Sequence, residues 1–354
     1  MHQAVLYKSL PKGLVKCTAC ARYCHIGDIC SGYCGVRKNV GGKLFLEVYG
    51  KPAALAIDPV EKKPLFHFLP GTKILSMGTY GCNFACDFCQ NFDLSQFPKL
   101  IGGPKETIAG KRILLEQEIG ALSEVTPEDF ATSASEHGCS SVAFTYNEPT
   151  IFAEYAYDCS KEARKLGLKT VFVSSGYESH ESMKYLSPVL DAINIDLKSF
   201  SDRFYREICH TTLEPVLGSI RLAHALGIWT EITTLVIPKE NDSKEELRAI
   251  AEFVASVDKD VPWHVTAFHP DYKMLGHSPT QPQKLVEARQ IGLDAGLRYV
   301  YAGNLPLQYS KYENTSCPKC GALLVERHGY SIRQITIDKG KCRACGNKIL
   351  GIWN

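Results

Sequence analysis

No stretch of the 354-residue sequence approaches eighteen consecutive apolar residues, so no membrane-spanning helix is expected. An excess of either charge is also missing: 40 Lys and Arg stand against 38 Asp and Glu, a formal net charge of +2. Nucleic-acid binders usually carry a strong or clustered basic excess, so the charge balance gives no argument for such a partner. The N-terminus has no charged segment leading into an apolar core, so no secretory leader is expected. The fifteen cysteines then do not read as a disulfide scaffold. They fall largely in Cys-x2-Cys and Cys-x3-Cys groups, which points to metal ligation in a reducing cytoplasm. Hydrophobic content of 45% with 22% charged residues describes an ordinary globular protein, long enough for one large core plus small appendages.

The richest stretch is Gly81 to Gln96, where Cys82, Cys86 and Cys89 follow a Cys-x3-Cys-x2-Cys spacing just after the apolar run Ile74-Leu75-Ser76-Met77. A cubane iron-sulfur cluster takes thiolates from protein, and three thiolates leave one of its four irons open. Structural zinc fits these gaps poorly, with no fourth Cys or His close by in sequence.

Two more groups flank it. Cys17, Cys20, Cys24, Cys30 and Cys34 lie within eighteen residues, punctuated by Gly27, Gly32 and Gly35, so the segment takes its shape from what it binds. Cys17, Cys20, Cys24 and Cys34 suit zinc or a second iron-sulfur cluster, with His25 or Cys30 able to replace one of them. Near the other end, Cys317-Pro318-Lys319-Cys320-Gly321 and Cys342-Arg343-Ala344-Cys345-Gly346 are twin knuckles for one tetrahedral ion, zinc or a rubredoxin-type iron. That lobe is too small to fold without its metal. The expected organisation is a metal-binding segment over residues 1–56, a main domain over 57–310 and a metal lobe over 311–354.

Between Lys43 and Ala56, alternating Leu44, Leu46 and Val48 predict a short strand pairing back on the cysteine segment. The connector 57–71 holds three prolines that oppose regular structure, and its His67 reads as structural. Beyond Gln96, β-rich apolar runs recur at 142–146, 170–174, 192–197, 229–237, 264–268 and 298–302, with helical patterns between them. One helix is expected to start at Thr126, with Pro127 in its first turn and Asp129 completing a capping box. The sum is an α/β protein built as a partial (βα)6 barrel. In such barrels chemistry sits at the C-terminal strand ends. The polar residues there are Glu148 in Thr145-Tyr146-Asn147-Glu148-Pro149-Thr150, Asp196 and Lys198 two apart on one face, and His269. Ser175 and Glu231 are weaker candidates, and Cys139, Cys159 and Cys209 read as core thiols.

Together, the N-terminal cysteines ending in Cys34-Gly35-Val36-Arg37, the run Asp58 to Gly71, the central cysteines, Tyr146 to Thr150, Trp263-His264-Val265 with Phe268 to Tyr272, Tyr301-Ala302-Gly303-Asn304 and the terminal knuckles resemble the AmmeMemoRadiSam-system radical S-adenosylmethionine (SAM) proteins. These are relatives of pyruvate formate-lyase activating enzymes. The resemblance implies a TIM-like barrel and a 4Fe-4S cluster on Cys82, Cys86 and Cys89. Its open iron would chelate the amino and carboxylate groups of SAM, and one electron would release a 5′-deoxyadenosyl radical. It further implies Phe88 against the adenine, Glu148 at the amino group, Asp196 and Lys198 in the cofactor pocket, and His269 against the ribose. An electron donor and Memo-like and AMMECR-like partners follow by association. Cys30 is outside the family pattern, and Tyr146-Asn147 replace the glycines of its Gly-Gly-Glu turn. The expected activity is hydrogen abstraction from a protein residue, as in glycyl-radical activation, with a small molecule or an RNA base as alternatives. A reading of another class, a metal-binding adaptor, gives no reason to leave an iron vacant.

Overall fold

A computed structural model describes residues 1–101 and 109–353. Its centre is one sheet of eight strands: β1 (Ala54–Pro59), β2 (Lys73–Gly78), β3 (Cys139–Phe144), β4 (Lys169–Ser174), β5 (Ala192–Asp196), β6 (Trp229–Val236), β7 (Trp263–Ala267) and β8 (Val300–Gly303). The strands lie side by side in chain order, with β1 and β8 at the two edges. From β2 to β8 all neighbours are parallel, while β1 runs antiparallel to β2. Helices return the chain between successive parallel strands, as a parallel pairing requires.

The expected six βα repeats undercount this sheet. The run 74–77 is the first parallel strand and 264–268 the sixth, so the run 298–302 adds a seventh to the same sheet. The prolines of the connector also argued too strongly against structure. Ile57, Asp58 and Pro59 finish β1, and a proline at the end of an edge strand forfeits no inner ladder bond. β1 therefore spans the expected 56/57 division. Other local signals correspond to what forms. Thr126 caps the helix Pro127–Glu136 by accepting from Asp129 N at 3.1 Å, while Asp129 accepts from Thr126 N at 3.2 Å.

Ahead of the sheet, residues 2–46 form two small antiparallel sheets, and Lys43–Leu46 pairs with Arg37–Val40 at the end of the cysteine segment. A buried ion pair pins this segment to the rest: Arg37 meets Glu154 of the helix Ala153–Lys165, whose carboxylate also accepts from Val5 N and Leu6 N. Each side-chain nitrogen of Arg37 and both Glu154 oxygens have a partner, as burial of a charge pair requires.

At the other end, a hairpin of Leu323–His328 and Ser331–Ile335 packs against the connector. Leu69 N donates to Ile352 O at 2.7 Å, Ile352 N to His67 O at 2.8 Å, and Arg327 Nη2 to Phe66 O at 2.7 Å. The His67 ring bridges Leu350 O and the Tyr301 hydroxyl, and burial pulls its pKa down to about 4, so it serves as a neutral strut. Among the described residues no helix is long and apolar enough to cross a membrane.

Candidate active site

One cavity of about 760 Å³ at the C-terminal ends of the strands brings together Cys82, Cys86, Cys89, Phe88, Glu148, Asp196, Lys198 and His269. All the strand-end residues singled out by pattern therefore face a common space except Glu231. That side chain is third in β6 and lies at the opposite end, where it accepts from Phe66 N, His67 N, Trp229 Nε1 and His264 Nε2. The error has a simple cause: β6 is eight residues long, so only its far end reaches the mouth.

The cysteine loop leaves β2 through Thr79 and Tyr80 and is held from several directions. Asn147 binds it three times, donating from Nδ2 to Gly81 O at 2.7 Å and to Thr79 Oγ1 at 3.2 Å and accepting from Thr79 N at 3.2 Å. Lys99 Nζ donates to Cys82 O at 2.7 Å and also to Phe84 O. Ala85 N and Asp87 N donate to Cys209 O and Ile208 O, and the Asp87 carboxylate receives His210 and Lys273. The backbone N–H of Phe84 points at Cys82 Sγ at 3.4 Å, and Ser95 Oγ lies 3.1 Å from Cys89 Sγ. Donors aimed at sulfur suit an anionic iron-thiolate group. Burial pushes the Cys82 thiol up to about 12 and raises Cys89, while Cys86 is raised well above its usual value by the Cys209 thiol beside it and then by burial. Such thiols keep their protons at neutral pH until a metal displaces them.

Across the cavity, Glu148 accepts from Ser175 N at 2.7 Å, Thr150 N at 3.2 Å and the Ser174 hydroxyl, tying the ends of β3 and β4 together. Ser174 also reaches Glu178, so two buried carboxyls flank one hydroxyl. Burial, followed by the charge of Glu178, pushes Glu148 up to about 8. Lys198 sits 2.8 Å from Asp196 and 5.7 Å from the centre of the Phe88 ring, and its backbone N–H donates to Tyr205. His269 is exposed at the rim, with Nε2 3.0 Å from the Gln90 amide.

The flanking cysteines separate by geometry. Cys317, Cys320, Cys342 and Cys345 bring their sulfurs within 4.8 Å of one another, with Cys317 and Cys345 at 3.6 Å and Cys320 and Cys342 at 3.8 Å. Those spacings are edges of a tetrahedron of thiolates around one ion at about 2.3 Å. Cys17, Cys20, Cys24 and Cys34 all line a second, narrow cavity, whereas His25 and Cys30 are exposed and stay outside it.

Several residues escaped the pattern. Glu178 lies four positions past β4, where nothing in the sequence marks it as Glu148's neighbour. Cys209 read as a core thiol; it is fully buried, but beside Cys86. Glu61, Lys63 and Glu313 form a polar far end of the main cavity, and burial raises Glu61 and brings Glu313 up to about 7. Glu61 and Lys63 were hidden because the connector's prolines drew a structural reading, and Glu313 because it lies at the end of the short helix Leu307–Glu313, beyond the last strand.

A family match covers the cysteine loop and the strand ends as far as β6. The family model of the Radical SAM superfamily matches residues 77–254. An uncharacterized protein of Methanocaldococcus jannaschii is 42% identical over 352 residues, 99% of both chains. The pyruvate formate-lyase-activating enzyme of Clostridium pasteurianum is 22% identical over 177 residues, 50% of this chain and 67% of that one. The crystal structure of a radical SAM methyltransferase from Sphaerobacter thermophilus aligns at a TM-score of 0.47 and 14% identity, covering 72% of this chain and 71% of that chain. Radical SAM proteins use a 4Fe-4S cluster and SAM, and the match covers half of the chain, including the cysteine loop; the protein is an enzyme and belongs to the radical SAM superfamily.

Proposed function

We propose that this enzyme reductively cleaves SAM at a 4Fe-4S cluster held by Cys82, Cys86 and Cys89 and abstracts hydrogen from a substrate in the adjoining cavity. One observation carries the reading: three thiols and four strand-end polar residues, Glu148, Asp196, Lys198 and His269, share one cavity. Bound there, the cluster and SAM supply a 5′-deoxyadenosyl radical. The chain's own part is to hold and orient. Phe88 offers an apolar face for the adenine, Lys198 a cation for the ribose or carboxylate, Glu148 an acceptor for the amino group, and His269 a ring for the ribose. Lys99, Asn147 and Asp87 fix the cysteine loop, whose three thiolates would hold the cluster and leave one iron free for SAM.

The substrate is read as a residue of a partner protein, in the manner of an activating enzyme, supported by the similarity to the Clostridium pasteurianum protein. A second reading, a small polar molecule, is favoured by Glu61, Lys63 and Glu313 at the far end of the cavity, since a few convergent polar groups are how small ligands are oriented. Membership of the AmmeMemoRadiSam group, with Memo-like and AMMECR-like partners and a cytoplasmic setting, rests on the motifs quoted above. Residues 1–56 and 311–354 are read as metal-bearing flanks of the main domain, the latter with zinc or iron on its four thiolates.

Anaerobic reconstitution followed by EPR of the reduced protein, with and without SAM, tests the core of this reading. Wild type is expected to show a 4Fe-4S signal that SAM perturbs and to release methionine, both lost in Cys86→Ala. A wild-type protein without a SAM-sensitive signal overturns it.

A further inference from the structure

The N-terminal thiols differ from the C-terminal four in one respect that decides what they hold. Among the described residues, only Cys317, Cys320, Cys342 and Cys345 bring ligand atoms within 4.8 Å of one another. Cys17, Cys20, Cys24 and Cys34 enclose a common cavity, yet spread wider than one ion's coordination sphere. Cys82, Cys86 and Cys89 share that wide spacing. Thiolates on a cubane attach to separate irons and so stand farther apart than thiolates on one ion.

The surroundings suit an anionic cluster. The N–H of Ala19 faces Cys17, that of Arg22 faces Cys20, and those of Val36 and Arg37 face Cys34. Arg22 adds a positive charge to the cavity wall, while the Arg37 guanidinium that also lines it is paired with Glu154.

This site also abuts the SAM-cleaving loop. Gly81, at φ +92°, packs so closely that a Cβ there would lie 2.5 Å from Cys34 O, so the chains bearing Cys34 and Cys82 touch. Arg22 Nε donates to Asn83 O at 2.5 Å, joining the Cys20–Cys24 turn to the residue after Cys82. Tyr33 lies between the Arg22 guanidinium at 3.6 Å and the Lys99 ammonium at 4.8 Å, and that ammonium binds Cys82 O.

We infer that Cys17, Cys20, Cys24 and Cys34 hold a second 4Fe-4S cluster that relays single electrons to the cluster on Cys82, Cys86 and Cys89. The inference rests on the proposed SAM cleavage for the identity of the receiving cluster. A low-potential one-electron carrier, iron-sulfur or flavin protein, reduces the second cluster. That cluster is reoxidised as the first is reduced, and the electron finally enters the carbon-sulfur bond of SAM, releasing methionine.

Two measurements on the anaerobically reconstituted full chain test this. The triple variant Cys82→Ala, Cys86→Ala, Cys89→Ala is expected to keep about four acid-labile sulfides and an EPR signal that ignores SAM. Absence of sulfide in this variant, with zinc in its place, overturns the inference while leaving SAM cleavage by wild type intact. For the relay, protein reduced with dithionite and then freed of reductant is mixed with SAM. Each cleavage consumes one electron, so wild type releases roughly two methionines per chain and Cys20→Ala/Cys34→Ala roughly one. The SAM-sensitive EPR signal of the double variant verifies that it is folded. A yield of about one from both proteins overturns the relay, whereas no methionine from wild type would instead overturn the SAM reading.

Discussion

The Lys198 ammonium lies 2.8 Å from the Asp196 carboxylate, two residues back along the same strand end, and the pair borders the cavity beside Phe88. Burial pulls Lys198 down, but the Asp196 carboxylate, joined by the Cys86 and Cys209 sulfurs when these are ionised, more than offsets it, so the cation's pKa ends raised and it stays charged. Asp196 is about a third exposed and tolerates loss of its partner. Lys198→Met should therefore cost little stability, about 1 kcal/mol or less. SAM affinity should drop roughly 10- to 100-fold, the equivalent of one charge-assisted hydrogen bond. Equilibrium dialysis with SAM and a thermal melt separate the two effects.

Much of this site was legible because its signals are local. Cysteine spacing survives as sequence, and residues two apart on a strand share a face, which placed Asp196 with Lys198. Strands β3 to β8 announced themselves as β-rich runs, and Thr126 as a cap. What escaped depends on long-range contact. Cys209 meets Cys86 across 123 positions, and the connector's Phe66 to Leu69 is fixed by Arg327, Leu350 and Ile352, far along the chain. No periodicity encodes such pairings. β1 escaped for a different reason, since Pro59 masks a strand whose edge position makes that proline harmless.

Cys209 gives a redox prediction. Hydrogen bonds to a ligating sulfur stabilise the reduced, more negative cluster. The Cys209 thiol is fully buried beside Cys86 and can supply one. Cys209→Ala should shift the midpoint of the SAM-binding cluster to more negative potential by roughly 40 mV, the one-electron equivalent of ~1 kcal/mol. An EPR-monitored titration reads this, with Cys159→Ala, a buried thiol away from the loop, expected to leave the midpoint in place.

Glu148 gives a pH prediction. Its pKa is raised to about 8, so below that pH the folded chain holds a proton that the unfolded chain releases near its ordinary value of 4.5. The stabilisation from this proton is complete below 4.5 and lost as pH rises through about 8. Glu148→Gln keeps the amide-like shape and cannot ionise. The stability of wild type relative to this variant should fall between pH 5 and 9, by on the order of 1–3 kcal/mol in SAM-free protein. Paired melts across that range check the slope, and a flat difference would mean that Glu148 stays ionised throughout.

The terminal knuckles bear on the main cavity at a distance. Their four sulfurs lie within 4.8 Å of one another, the spacing one ion requires, and the lobe they belong to packs Leu350 and Ile352 against His67 and Leu69. His67 in turn carries Tyr301, which lines the cavity beside Glu313. Cys320 is exposed, so a chelator can reach the site. Removing the ion leaves four thiolates repelling one another in a lobe with little core of its own, a loss of several kcal/mol. Hydrogen exchange should then rise at least roughly a hundredfold in residues 315–353, and also at the backbone N–H of Leu69, which donates to Ile352 O. The N–H groups of Phe66 and His67 are bonded to Glu231 instead, and β6 holds Glu231 whether or not the lobe is docked. They should keep their protection, and that contrast separates undocking of the lobe from collapse of the whole sheet.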